Sequence, residues 1–175
     1  MSRLFGPMRQ LGYVVADVRV AVDHWVDRLG VGPFFVVDEL VLEDFELDGV
    51  AGEPVTLSIA LANSGSMQIE LIQQLDDTPS MFRTFLDRTG GGLQHWATWP
   101  DDYDAMLQAA RAHGLAVKQS GRTARGRFAY MSDPRVPDTA VEIAEGSTER
   151  ARSFGLVAEA AVGWDGTDPI RSGLP

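Results

Sequence analysis

The chain is 175 residues long, with 45% hydrophobic residues and a formal net charge of −10. That is enough apolar mass for one domain with its own core, and the absence of cysteine removes disulfides, thiolate metal sites and cysteine nucleophiles. The excess of 25 acids over 15 bases argues against nucleic-acid binding, which depends on Lys and Arg to neutralise phosphates. No apolar run approaches the ~20 residues that a membrane-spanning helix needs. The opening MSRLFGPMRQ is too short and too poor in apolar residues for a secretory signal, so the expectation is a soluble, cytoplasmic protein.

In chain order, QLGYVVADVRVAVDHWVDRLGV predicts a strand over 11–15, rich in β-branched and aromatic residues. Asp17 can cap a following helix in which Val18, Ala21, Val22, Trp25, Val26 and Leu29 fall on one face, and Gly30 ends it. Three strands follow: PFFVVDEL (33–40), PVTLSIALAN (54–63) and SMQIELIQQ (66–74). In DDTPSMFRTFLDRTGGG, Ser80 can cap a short helix before a triple-glycine turn.

The pattern then repeats. QHWATWPDDYDAMLQAARAHGL predicts a strand over 93–99, acids at 101–102 to cap, and a helix carrying Tyr103, Met106, Leu107 and Ala110 on one face, with Gly114 ending it. Shifting by 85 residues lays Gln10 on His95 and Asp17 on Asp102. Three strands again follow: LAVKQSGR (115–122), RFAYMSD (127–133) and TAVEIAE (139–145). Strands with single helices could form a parallel βαβ sheet, but three strands in succession call for hairpins. The expected fold is therefore α+β, a single domain over 1–175. Two tandem βαβββ modules (8–75 and 92–146) form a mostly antiparallel cup-shaped sheet. A linker helix (76–91) joins them, and a C-terminal helix and tail (147–175) pack over the body or a partner chain.

Each half opens its first strand with a residue able to bind metal, Gln10 or His95, and places a carboxylate in its last, apolar strand, Glu70 or Glu142. A buried unpaired carboxylate is costly, so such residues are normally paired or metal-bound. The duplication predicts that Gln10, Glu70, His95 and Glu142 meet on the concave face. His24 reads as packing or polar surface, and His113 as a favourable charge in the last turn of its helix.

The pieces QLGYVVADVRVAVDHWVDRLGVGPFF, MQIELIQQ, GGLQHWATW and AVEIAE, in this order over about 8–146, resemble the vicinal oxygen chelate superfamily of glyoxalase I, methylmalonyl-CoA epimerase, extradiol dioxygenases and bleomycin-resistance proteins. IELIQ and the glycine-rich entry to the histidine strand are most similar to the epimerase and glyoxalase branch. The resemblance implies the glyoxalase/bleomycin resistance/dioxygenase fold and a divalent metal (Zn, Ni, Co, Mn or Mg) held by Gln10, Glu70, His95 and Glu142. Epimerases usually carry two histidines before this strand; here Gln94 stands in place of the first.

One imidazole and three oxygen donors suit a catalytic rather than a structural ion. The expected activity is that of an isomerase, epimerase or glyoxalase-like lyase. It would abstract a proton next to a carbonyl or acyl thioester, through a metal-stabilised enolate. In the glyoxalase pattern the base is Glu142; in the epimerase pattern a separate glutamate helps, for which Glu53 is the candidate. The alternatives are a sequestering protein that stacks a small molecule on Trp96, Trp99, Phe34, Phe35 and Tyr130, and an extradiol-type dioxygenase, which the single histidine disfavours. A homodimer is implied by the resemblance.

Overall fold

The computed structural model describes the backbone of residues 1–175 and every side chain except those of 137–139. The elements run β1 (Gln10–Val14), α1 (Val18–Asp27), β2 (Phe34–Leu47), β3 (Val50–Ala51), β4 (Val55–Ser64), β5 (Met67–Gln74), α2 (Met81–Thr89), β6 (Gly92–Thr98), α3 (Tyr103–Ala112), β7 (Ala116–Thr123), β8 (Gly126–Asp133), β9 (Val136–Ala144), α4 (Thr148–Ala161) and β10 (Ile170–Ser172).

Local chemistry sets the helix ends. The Asp17 carboxylate accepts from the amides of Arg19 and Val20 at the start of α1, and Asp102 accepts from the amide of Ala105 at the start of α3. Ser80 and Ser147 do the same for α2 and α4. Such side chains satisfy amides that have no partner within the helix. The two duplicated helices lie against the outside of the sheet. Val18 and Val22 of α1 pack with Phe34, Ala60 and Leu71, and Tyr103 and Ala110 of α3 pack with Met131, Val141 and Ile143.

The sheet order is β10-β2-β4-β5-β1-β6-β9-β8-β7, and a further pairing of β2 with β7 closes it. Pairings are antiparallel except β1–β5, β6–β9 and β10–β2. The two halves join through β1 and β6. A third apolar cluster fills the interior of this curved sheet, including Leu42, Leu57, Ile59, Ile72, Phe82, Phe128 and Tyr130.

The expected strand over 33–40 in fact runs on as β2 to Leu47. Its acidic second half looks like a loop in sequence, but Glu43, Glu46 and Leu47 pair with β7 while Phe45 stays buried. The tail is not only loop: Ile170–Ser172 adds as a parallel strand to Phe34–Val36, and Leu174 packs against the interior cluster.

Candidate metal centre

The strand register brings the singled-out residues onto one face, in two rows. Gln68, Gln10, Ala97 and Glu142 stand side by side across β5, β1, β6 and β9; in the next row stand Glu70, Gly12, His95 and Ala140. The pairs Gln10–Ala97 and Gly12–His95 interchange under the shift that relates the two halves, so the register itself obeys the duplication. The polar residues in these rows are separated by residues with little or no side chain, which leaves room between the strands.

Gly12 is the clearest instance. A Cβ built on it would lie 1.9 Å from His95 Cε1, so the imidazole occupies the space a side chain would need. Glycine inside a strand commonly marks such a close approach.

His95 is 2% exposed, and its Nε2 stands 3.5 Å from Glu70 Oε2 and 3.6 Å from Glu142 Oε2. One ligand atom from each of the three residues lies within 4.8 Å of the others. Nε2 is buried and has no hydrogen-bond partner. The other ring nitrogen, Nδ1, is 2.7 Å from Gln94 Oε1. An amide oxygen only accepts, so Nδ1 carries the proton and Nε2 presents its lone pair to the carboxylates. This is the orientation a metal-ligating imidazole takes from its outer-shell partner.

Gln94 can reach its neighbour because the β1–β6 register slips there: Gly12 faces His95 and Tyr13 faces Leu93, leaving Gln94 as the extra residue of a bulge. Bulges re-aim side chains in this way. Sequence reasoning noted Gln94 only as a departure from the epimerase pattern and missed Gly12. The glycine between Leu11 and Tyr13 in a predicted strand was the available signal for the latter; nothing in the sequence marked the bulge.

Burial, and then the nearby Glu70 charge, raise the Glu142 carboxyl to about 7, while His95 and Arg150 pull it down. Tyr130, edge-on to His95 at 4.8 Å between ring centres, is raised well above its ordinary value by burial and by both glutamates. The orphaned Nε2, the two carboxylates around it and the all-nitrogen-and-oxygen donor set fit a divalent ion.

Gln10 is buried on the same face, and its Nε2 donates to Gln68 Oε1 at 2.7 Å. Glu53 is not brought to this site. It is exposed and lines a separate hollow beside Phe45, Val50 and Thr78. His24 is exposed on α1, and His113 is exposed with Nδ1 2.9 Å from Ala109 O. Of the aromatic residues considered for stacking, Tyr130 lines the cavity of Glu70 and Glu142. Phe34 packs beneath α1, Phe35 and Trp99 pack with the α4 side, and Trp96 packs edge-on to Phe5.

The cavity above the two glutamates has a volume of about 550 Å³, its open mouth included. Its walls are mainly apolar, from Leu40, Leu42, Leu57 and Ile59 on one side to Phe82, Phe128 and Phe154 on the others. That apolar lining around a few convergent polar groups has the character of a small-molecule site.

The model of the glyoxalase/bleomycin resistance protein/dioxygenase superfamily matches residues 9–130. The chain belongs to this superfamily. Comparison with curated proteins gave no match. Among solved structures, methylmalonyl-CoA epimerase from Mycobacterium tuberculosis is similar with a TM-score of 0.60 and 24% identity, covering 87% of this chain and 95% of that one. A variant of Streptomyces coelicolor methylmalonyl-CoA epimerase in complex with 2-nitronate-propionyl-CoA gives 0.56 at 18% identity, covering 81% and 94%. A mutant of 4-hydroxymandelate synthase from Streptomyces coelicolor gives 0.51 at 20% identity, covering 79% of this chain and 38% of that one. At these identities the likeness establishes the fold.

Proposed function

We propose that the protein is a metal-dependent isomerase or epimerase, or a glyoxalase-like lyase, that moves a proton next to a carbonyl or acyl thioester. The observation that carries this reading is the buried, unpartnered His95 Nε2 facing Glu70 and Glu142 at the floor of an apolar cavity. His95, Glu70 and Glu142 would hold the ion. Gln10 would complete the set through Oε1, since its Nε2 is engaged by Gln68. When bound, a divalent ion supplies a Lewis acid that polarises the substrate carbonyl and stabilises the enolate left by proton removal.

The chain's own residues do the rest. Glu142 is the base: the substrate C–H bond breaks, its electron pair moves to the carbonyl, and the proton passes to a Glu142 carboxylate oxygen. Inversion needs a proton delivered to the other face of the enolate by a second donor, for which Glu70 is the other carboxyl of the cavity, while Glu142 keeps the proton it took. Return of the Glu142 proton to the neighbouring carbon isomerises the substrate. The apolar walls keep bulk water from the reacting carbon, while the exposed 7% of Glu142 lets its proton exchange with solvent between turnovers. Glu142 and Glu70 are the carboxylates lining this cavity among the described residues, so Glu53 enters the proposal only if it acts from outside. The methylmalonyl-CoA epimerases of similar fold support an acyl thioester as the substrate type. A homodimer, carried over from the resemblance, belongs to the same proposal and is checked by light scattering, and the cytoplasmic location expected from the sequence stands beside it as a proposal.

The test is elemental analysis of the purified protein, followed by NMR of α-proton exchange in D₂O with methylmalonyl-CoA and with a methylglyoxal–glutathione hemithioacetal. The expected result is about one divalent ion per chain, lost in His95→Ala, and exchange lost in Glu142→Gln. A protein that takes up none of Zn²⁺, Ni²⁺, Co²⁺ or Mn²⁺ overturns the reading.

A further inference from the structure

The cavity that holds Glu70 and Glu142 also holds two arginines, Arg125 and Arg150. Arg125 sits in the tight turn between β7 and β8, and Arg150 in the first turn of α4. The backbone joins them: Arg150 Nη2 is 3.5 Å from Arg125 O, which also accepts from Ser147 Oγ at 3.1 Å.

Arg150 is 7% exposed; its Nε donates to Glu145 O at 3.0 Å, and its guanidinium lies 5.7 Å from the Phe154 ring centre. These contacts are to a neutral carbonyl and a ring. Arg125 is half-buried, and its Nε is fully enclosed with no hydrogen-bond partner. Burial lowers its pKa, Glu149 raises it, and Arg150 lowers it further. Neither guanidinium makes an ion pair with a carboxylate among the described residues, whereas Arg122, Arg127 and Arg135 all do.

The charges of the cavity then decide the ligand. Without an ion, two carboxylates and two guanidinium groups line it. Among the described residues Glu70 and Glu142 form no ion pair with either guanidinium, and Glu149 acts on Arg125 only at a distance. With or without an ion on the glutamates, both positive charges therefore lack a paired acid in an apolar pocket, on a chain whose net charge is −10. A desolvated guanidinium without an acid is unfavourable, and a planar anion that accepts from its fork removes that penalty.

We infer that the substrate carries an anionic group, carboxylate or phosphoryl, on an apolar body, and that Arg125, supported by Arg150, receives that anion while the oxygens of the reacting end face Glu70, His95 and Glu142. Only the placement of the reacting end rests on the function proposed above. The anion site is assigned by the arginines and the walls alone. Arg125 is a substrate-binding and specificity-determining residue, and Arg150 positions it.

The experiment is calorimetric titration of the full chain, first stripped of metal, with hexanoate and with the neutral, isosteric hexanamide. Hexanoate is expected to bind at least about 10-fold tighter, as a charge-assisted pair warrants. In Arg125→Gln the difference should vanish, with the melting temperature retained. Arg150 is kept intact because it also ties α4 to the turn. Hexyl phosphate in place of hexanoate tells which head group the fork prefers; either one, bound tighter than the amide and weakened in Arg125→Gln, supports the site. Equal binding of hexanoate and hexanamide, or a preference unchanged in Arg125→Gln, overturns it.

A second titration, with Mn²⁺ present, compares adipate with hexanoate. A further gain for adipate that is lost in His95→Ala supports the placement of the reacting end. Its absence, with the hexanoate preference intact, overturns that placement and leaves the arginine site standing.

Discussion

At the scale of single residues, the centre depends as much on what is missing as on what is present. Gly12 contributes no atoms to a ligand set, yet the His95 ring fills the space its side chain would take. Gly12→Ala is therefore expected to displace the imidazole and weaken Mn²⁺ or Ni²⁺ binding at least about 10-fold, read by calorimetry. Unchanged affinity would show that the ring can move without cost. Gln94 acts through the other ring nitrogen. Gln94→Leu removes the acceptor of the Nδ1 proton, and about 10- to 100-fold of metal affinity should go with it, as when other outer-shell partners are removed.

At the scale of elements, α2, α4 and the tail contribute walls to the cavity while the donors come from the strands. Phe82 of α2 is 1% exposed, meets Tyr130 edge-on at 5.4 Å, and Tyr130 in turn meets His95. Phe82→Ala should cost roughly 3–5 kcal/mol in urea unfolding, because the cavity wall it forms against Tyr130 loses its packing and cannot collapse freely. The tail acts differently. Its strand β10 is short and pairs only with β2, while Leu174 reaches the cavity wall. Truncation after Gly163 should leave metal affinity unchanged and weaken hexanoate binding, since apolar wall is lost and the donors are not. An equal loss of both would place the tail in the support of the sheet instead.

At the scale of the whole molecule, sheet closure sets the charge balance of the site. Drawing β5 and β9 toward the centre from opposite halves puts Glu70 and Glu142 near one another in a buried space, and the Glu142 carboxyl rises from 4.5 to about 7. Its pKa is raised on folding, so the metal-free fold is favoured by the protonated acid. That contribution is complete below about pH 4.5 and is lost as pH rises through about 7. The melting temperature of the metal-free protein should fall between about pH 5 and 8, and fall less in Glu142→Gln. Metal binding follows the opposite course, because it needs the carboxylate, so its affinity should rise through the same window. A metal-free melting curve that ignores pH over this range would mean that Glu142 is ionised throughout.

The sequence alone determined the repeated elements, because each half spells out its own cap, helical stripe and apolar strands within a few dozen residues. It also singled out Glu70, His95 and Glu142, since a carboxylate inside an apolar strand stands out against its neighbours and the repeat puts an imidazole at a matching place. The long second half of β2 was illegible, because its acids satisfy solvent on one face while pairing is supplied by the distant β7. Glu53 shows the limit from the other side: nearness in sequence to a strand of the site did not bring it into the cavity. The same holds for the Gln94 bulge, the space at Gly12 and the unpaired Arg125. Each arises from two strands, or a turn and a helix, far apart in the chain, and such close approaches are decided by tertiary packing, where no local pattern of residues records them.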